Sequence, residues 1–98
     1  MQEQSATLSN NPRTLEVLWR EYKHGIDGRK PAEQFTTVER NQSGRVETKY
    51  YRRNLFWEVV ARLVRGGDTY QRAINKIRGV YGPTTSVTNT LKAMAMDN

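Results

Sequence analysis

Ninety-eight residues without a cysteine allow one small domain and exclude disulfides, thiolate metal sites and thiol catalysis together. The formal charge is +6 and the sequence pI about 10.0, which favours a polyanionic partner over a neutral small substrate. The excess is local: nine basic residues face three acids between Arg45 and Arg78, a segment that carries the whole imbalance.

Residues 1–11 are polar and aperiodic and read as a disordered tail, with residues 12–98 as one helical domain. Asn11 followed by Pro12 offers an N-cap and a first helical position. Leu15, Leu18, Trp19 and Tyr22 then recur at helical spacing and give the first helix a core-facing stripe that ends near Gly25. His24, the single histidine, is expected as part of the helix end rather than as a base or ligand. The glycines at 25 and 28 suit a turn, and Pro31 opens a second short helix to about Arg40 with Phe35 and Val38 inward. After the break at residues 41–44, residues 45–65 read as one long helix whose second half is apolar: Phe56, Trp57, Val59, Val60, Leu63 and Val64. Gly66 and Gly67 stop it, and Asp68 with Gln71 forms a capping-box pattern for a fourth helix with Tyr70, Ala73, Ile74 and Ile77 inward until Gly79. Thr84 or Thr85 then caps a last helix with Val87, Leu91 and Met94 inward. No segment alternates with period two for long, so the expected fold is all-α, a small bundle of about five helices.

Two sets of residues suit nucleic acid. Arg45, Lys49 and Arg52 recur at i, i+4 and i+7 and form a basic stripe on the long helix, with Arg53 beside it. Guanidinium groups bridge phosphate oxygens or fork onto the O6 and N7 of guanine. Of Tyr50 and Tyr51, one should pack with Val46 and Trp57 and leave the other free for the sugar–phosphate backbone. Arg20 and Lys23 lie on the first helix, within reach of Glu16 and Glu21, and read equally as a solvated surface. The last two helices also follow the order of a helix-turn-helix, which would turn Thr85, Ser86, Thr88, Asn89 and Lys92 to DNA. A helical hairpin closing the core explains that segment as well.

Leu18-Trp19-Arg20-Glu21-Tyr22, Gly25, Gly28 and Pro31, followed by Tyr51-Arg52-Arg53 leading into an apolar helix, resembles the C-terminal DNA-binding domain of the fungal transcriptional activators of glycolytic genes. Related domains occur in stress-response activators and Crypton-type mobile elements, and Arg29-Lys30-Pro31-Ala32 is similar to non-fungal relatives of that kind. The resemblance covers about residues 14–64. It implies a nuclear, sequence-specific binder of double-stranded DNA in a transcription regulator, working with other transcription proteins. The chain departs from the fungal pattern in lacking a tryptophan between Pro31 and Tyr50, and its Gly28–Pro31 spacing is one residue longer. The target sequence therefore does not carry over.

No phosphate-cradling loop, metal-spaced cluster or histidine beside a nucleophile is present in the sequence, so neither an enzyme nor a cofactor nor a metal site is expected. No apolar run approaches the roughly 20 residues needed to span a bilayer, and residues 1–11 lack the pattern of a signal peptide. The expected protein is soluble and intracellular, with no membrane or small-molecule partner; a module this short would depend on a partner or a longer parent for activation. The competing readings are a basic helical protein-interaction module and a nonspecific nucleic-acid binder derived from a mobile element.

Overall fold

The computed structural model describes residues 6–10 and 12–97. They form an all-α bundle of five helices measuring 40 × 27 × 22 Å: α1 (Leu15–Lys23), α2 (Thr37–Arg40), α3 (Gly44–Arg65), α4 (Tyr70–Tyr81) and α5 (Val87–Asp97), with a short 3-10 turn at Ala32–Gln34. There is no strand among the described residues. The 22-residue α3 is the spine: α1, α2, α4 and α5 all pack on it.

Side chains rather than glycines start the helices. Thr14, Thr36, Ser43 and Thr69 accept hydrogen bonds from the backbone N–H three residues on, satisfying donors that the helix itself leaves unpaired. Thr14 thus begins α1 three residues after the expected start; Asn11 lies outside the described residues. Thr69, not Asp68, caps α4, because the Asp68 carboxylate is taken by Lys76 at 2.6 Å. Ser86 Oγ accepts from the Asn89 N–H and starts α5, while the expected cap Thr85 donates back to the Tyr81 carbonyl. Gly79 lies within α4, which runs on to Tyr81 and stops at Gly82 (φ 105°).

His24 occupies the C-cap of α1, followed by Gly25 at φ 74°. A Cβ at Gly25 would overlap the carbonyl oxygen of Arg29, so the tight turn leading to Pro31 requires glycine there. The expected helix over residues 31–40 is broken: Phe35 takes an extended conformation between the 3-10 turn and α2. Phe35 remains buried, but the break removes Val38 from its register, and Val38 is 80% exposed. A capping box between Thr36 and Glu39 holds the single turn of α2 in place of a buried face. Tyr70, also expected inward, is largely exposed at the first position of α4, where its stripe runs past the core.

The core is aromatic and aliphatic. Trp57 is completely buried, stacks on Tyr22 at 5.1 Å, meets Tyr50 edge-on, and donates from Nε1 to the Leu18 carbonyl at 2.9 Å. Phe56, Val60, Leu18, Ala73, Ile74, Ile77 and Met94 close around it. Residues 6–10, expected in a disordered tail, instead lie on the bundle. Leu8 is buried in the core, and the Gln42 amide donates to the Ala6 carbonyl.

A buried polar network holds this strap. Glu21 Oε2 accepts from both the N–H and the hydroxyl of Ser9, and its Oε1 accepts from Arg53 at 2.6 Å. Arg53 also donates to the Ser9 carbonyl at 2.6 Å. Glu16 and Glu21 are therefore not partners of Arg20 and Lys23: Glu21 pairs with Arg53, Glu16 with Arg78 of α4, and Lys23 with Glu33.

Removing one member of a buried, hydrogen-bonded ion pair strands the other. Arg53→Ala should therefore cost about 3–5 kcal/mol in urea unfolding, whereas Arg52→Ala, one residue away but exposed, should cost less than about 0.5 kcal/mol. A second outcome concerns acid. The Arg78 hydrogen bond, opposed by partial burial and supported by Gln71, holds the Glu16 carboxyl down to about 2 from its ordinary 4.5. Because the folded value is lowered, the contribution is complete above 4.5 and fades as pH falls toward 2. Allowing for solvent screening of this partly exposed pair, Glu16→Gln should lose about 1 kcal/mol at pH 7. In urea unfolding across a pH series, its deficit against the parent should shrink below pH 4.5.

Candidate nucleic-acid interface

Two adjacent rows of side chains run along α3. Val46, Tyr50, Arg53, Trp57 and Val60 follow one another at helical spacing and are all buried. Arg45, Lys49 and Arg52 sit one residue earlier in each case, so their row flanks the buried one and faces outward at its edge. Arg45 and Arg52 are exposed and make no ion pair among the described residues. Lys49 is half-buried; its ammonium donates to Asn10 Oδ1 at 2.6 Å and reaches the Leu8 carbonyl at 3.4 Å. Burial lowers its pKa, and the neighbouring cations of Arg53 and Arg45 lower it further.

Arg53 is the correction to the expected set. It is 5% exposed, with its guanidinium committed to Glu21 and Ser9, and is not free to grip a phosphate. The sequence held a signal for this: Arg53 lies in the middle of the 46–50–53–57–60 stripe, whose other members are apolar or aromatic. Its partner is 32 residues away, and no local spacing announces it.

The tyrosines divide as expected. Tyr50 is buried between Phe35 and Trp57, with the Arg40 guanidinium 4.9 Å from its ring centroid. Tyr51 stands edge-on to Tyr50 and is exposed beside Arg52.

α5 packs on α3, and the two helices leave a groove of about 580 Å³ between them. Lys49, Tyr51, Arg52 and the Glu21-paired Arg53 line it from α3, and Thr88, Lys92 and Ala95 from α5. The structure thus brings the two separately chosen sets of candidates onto one face. Leu55, Val87, Leu91 and Met94 form its apolar part, and Asn10 and Pro12 close one end. Arg45, Arg20, Thr85, Ser86 and Asn89 do not line the groove. Arg20 is exposed on α1 without an ion pair among the described residues, and Asn89 is exposed on α5. The hydroxyls of Thr85 and Ser86 are engaged locally, in the turn and the cap. α4 and α5 keep the chain order of a helix-turn-helix, but each packs chiefly on α3 rather than on the other.

Among the described residues, no helix is long and apolar enough to cross a membrane. Comparison with curated proteins and with solved structures gave no match. A family comparison did: residues 7–80 match the family described as transcriptional activator of glycolytic enzymes. The matched region takes in the strap, α1 to α3 and nearly all of α4, well beyond the two short motifs at residues 18–31 and 51–53. That family is one of transcriptional activators, not a family of enzymes. The chain belongs to the family of transcriptional activators of glycolytic enzymes.

Proposed function

We propose that the chain is the duplex-DNA-binding domain of a transcription regulator, and that the outer row of α3 and the exposed side of α5 form its DNA-facing surface. One observation carries the reading. Six carboxylates, Glu16, Glu21, Asp27, Glu33, Glu39 and Asp68, are tied to cations elsewhere in the described molecule; of the exposed cations left without an ion pair among the described residues, which include Arg13, Arg20, Arg62, Arg65 and Arg72, Arg45 and Arg52 share the outer row of α3 and Arg52 and Lys92 line the same groove. Uncompensated cations on a rigid helical scaffold attract phosphates by releasing condensed counterions. The guanidinium of Arg52 has the geometry to fork onto a guanine edge or bridge phosphate oxygens. Arg45, about two turns earlier, suits the same backbone strand, and Lys92 supplies a cation from the second helix. Thr88 and Asn89 add a hydroxyl and an amide, the latter suited to an adenine edge. Family membership supports transcriptional control, and nuclear action with it.

Arg45, Arg52 and Lys92 are exposed, so replacing them tests binding without disturbing the core. Selection from randomised duplex DNA at near-physiological salt should enrich a defined motif. The triple change Arg45→Ala, Arg52→Ala, Lys92→Ala should weaken binding to the winner about 100-fold and flatten the slope of log K against log salt by about 2–3, since each lost phosphate contact removes about 0.9. Its melting transition should match that of the parent. Salt-sensitive binding with no enriched motif, or a triple variant that binds like the parent, would overturn the reading.

A further inference from the structure

The groove between α3 and α5 has a character that phosphate contacts do not use. Lys49, Arg52 and Lys92, with Arg53 held by Glu21, supply its charge, and no carboxylate lines it; Leu55, Leu91 and Met94 make its lining apolar. Duplex DNA offers phosphates to the cations, but its apolar atoms are stacked bases and thymine methyls, which do not fill a concave aliphatic slot. A polypeptide in which carboxylates flank leucine or phenylalanine offers both halves at once. The volume of about 580 Å³ lies in the range of pockets that enclose a few side chains rather than a single ion.

We propose that this groove is the docking site for an acidic amphipathic segment of a partner protein, two or three of whose apolar side chains enter the slot while its carboxylates meet Arg52 and Lys92. The segment binds as a helix laid between two helices, presenting anchors at i, i+3 or i+4, and i+7. Tyr51, exposed at the mouth, adds a hydroxyl that donates to a carboxylate. Arg52 serves both surfaces, so peptide and duplex compete for the chain.

The probe is a synthetic peptide of about 15 residues with leucine and phenylalanine at those anchor spacings and aspartate or glutamate elsewhere. A second peptide of the same composition has the spacing scrambled. In fluorescence anisotropy the first binds saturably and the second about tenfold more weakly, since charge alone does not fill the slot. Ala95 lines the groove from an exposed position on α5, so Ala95→Trp fills the slot without entering the core, and Thr88→Glu places a repelling carboxylate at the mouth. Each should weaken the peptide about tenfold. Ala95→Trp should leave the melting temperature unchanged. Equal binding of both peptides, or indifference to both substitutions, would overturn the proposal; a loss of duplex affinity in Ala95→Trp with peptide binding intact would assign the slot to DNA. Peptide binding without any duplex binding would sink the DNA reading and leave this one standing.

Discussion

Glu21 and Arg53 meet inside the bundle, and much of the architecture is arranged so that they can. Two charges withdrawn from water lose several kcal/mol of hydration each, and the loss is offset only where the geometry is good and the remaining polar atoms are matched. Here Glu21 accepts three hydrogen bonds and Arg53 donates two, with Ser9 completing the ring. The network specifies more than a contact between α1 and α3. It fixes the backbone at Ser9, which places Leu8 in the core and Asn10 against Lys49 at the edge of the groove. A hydrophobic pair at these positions could hold the helices together, but it could not orient the strap through a backbone N–H and a carbonyl.

The same helix then divides its labour between neighbouring rows. Successive residues on a helix are turned by about 100°, so Arg52 and Arg53 are adjacent in sequence yet lie on opposite sides of the boundary between surface and core. The inner row locks the spine to α1 through Arg53 and Trp57, and the outer row offers Arg45 and Arg52 to solvent. α5, docked along this edge, adds Lys92 to the basic face and creates a slot beside it. In the reading proposed above, one surface thus combines a phosphate-gripping rim with an aliphatic pocket, so that a transcription regulator could exchange a duplex for an acidic partner at a shared arginine.

Much of the fold was legible in the sequence because helical periodicity is a local signal. The stripe from Leu15 to Tyr22 and the apolar half of α3 announced amphipathic faces, and the caps differed from expectation by only one to three residues. What escaped depended on distant or sub-periodic events. Val38 was misplaced because an extended residue at Phe35 interrupts the helix, so the i, i+3 spacing of Phe35 and Val38 no longer puts both side chains on one face. Leu8 was hidden in a polar stretch with no repeat to mark it. Arg53 was drawn into the basic stripe by its charge, although its spacing from Val46, Tyr50 and Trp57 placed it among the core residues. Of the candidate site, the outward positions of Arg45 and Arg52 followed from spacing, whereas the meeting of α3 with α5 in a groove could not be read without tertiary packing.

The most direct test of this account is backbone-amide NMR of the chain titrated with a duplex recovered by selection. The account predicts that the largest shift changes fall on the outer row of α3 around Arg45, Lys49 and Arg52 and on α5 around Thr88, Asn89 and Lys92, with little change along α4. Changes centred instead on α4, or on the surface of α1 around Arg20 and Lys23, would contradict it and move the DNA-facing surface to another side of the bundle.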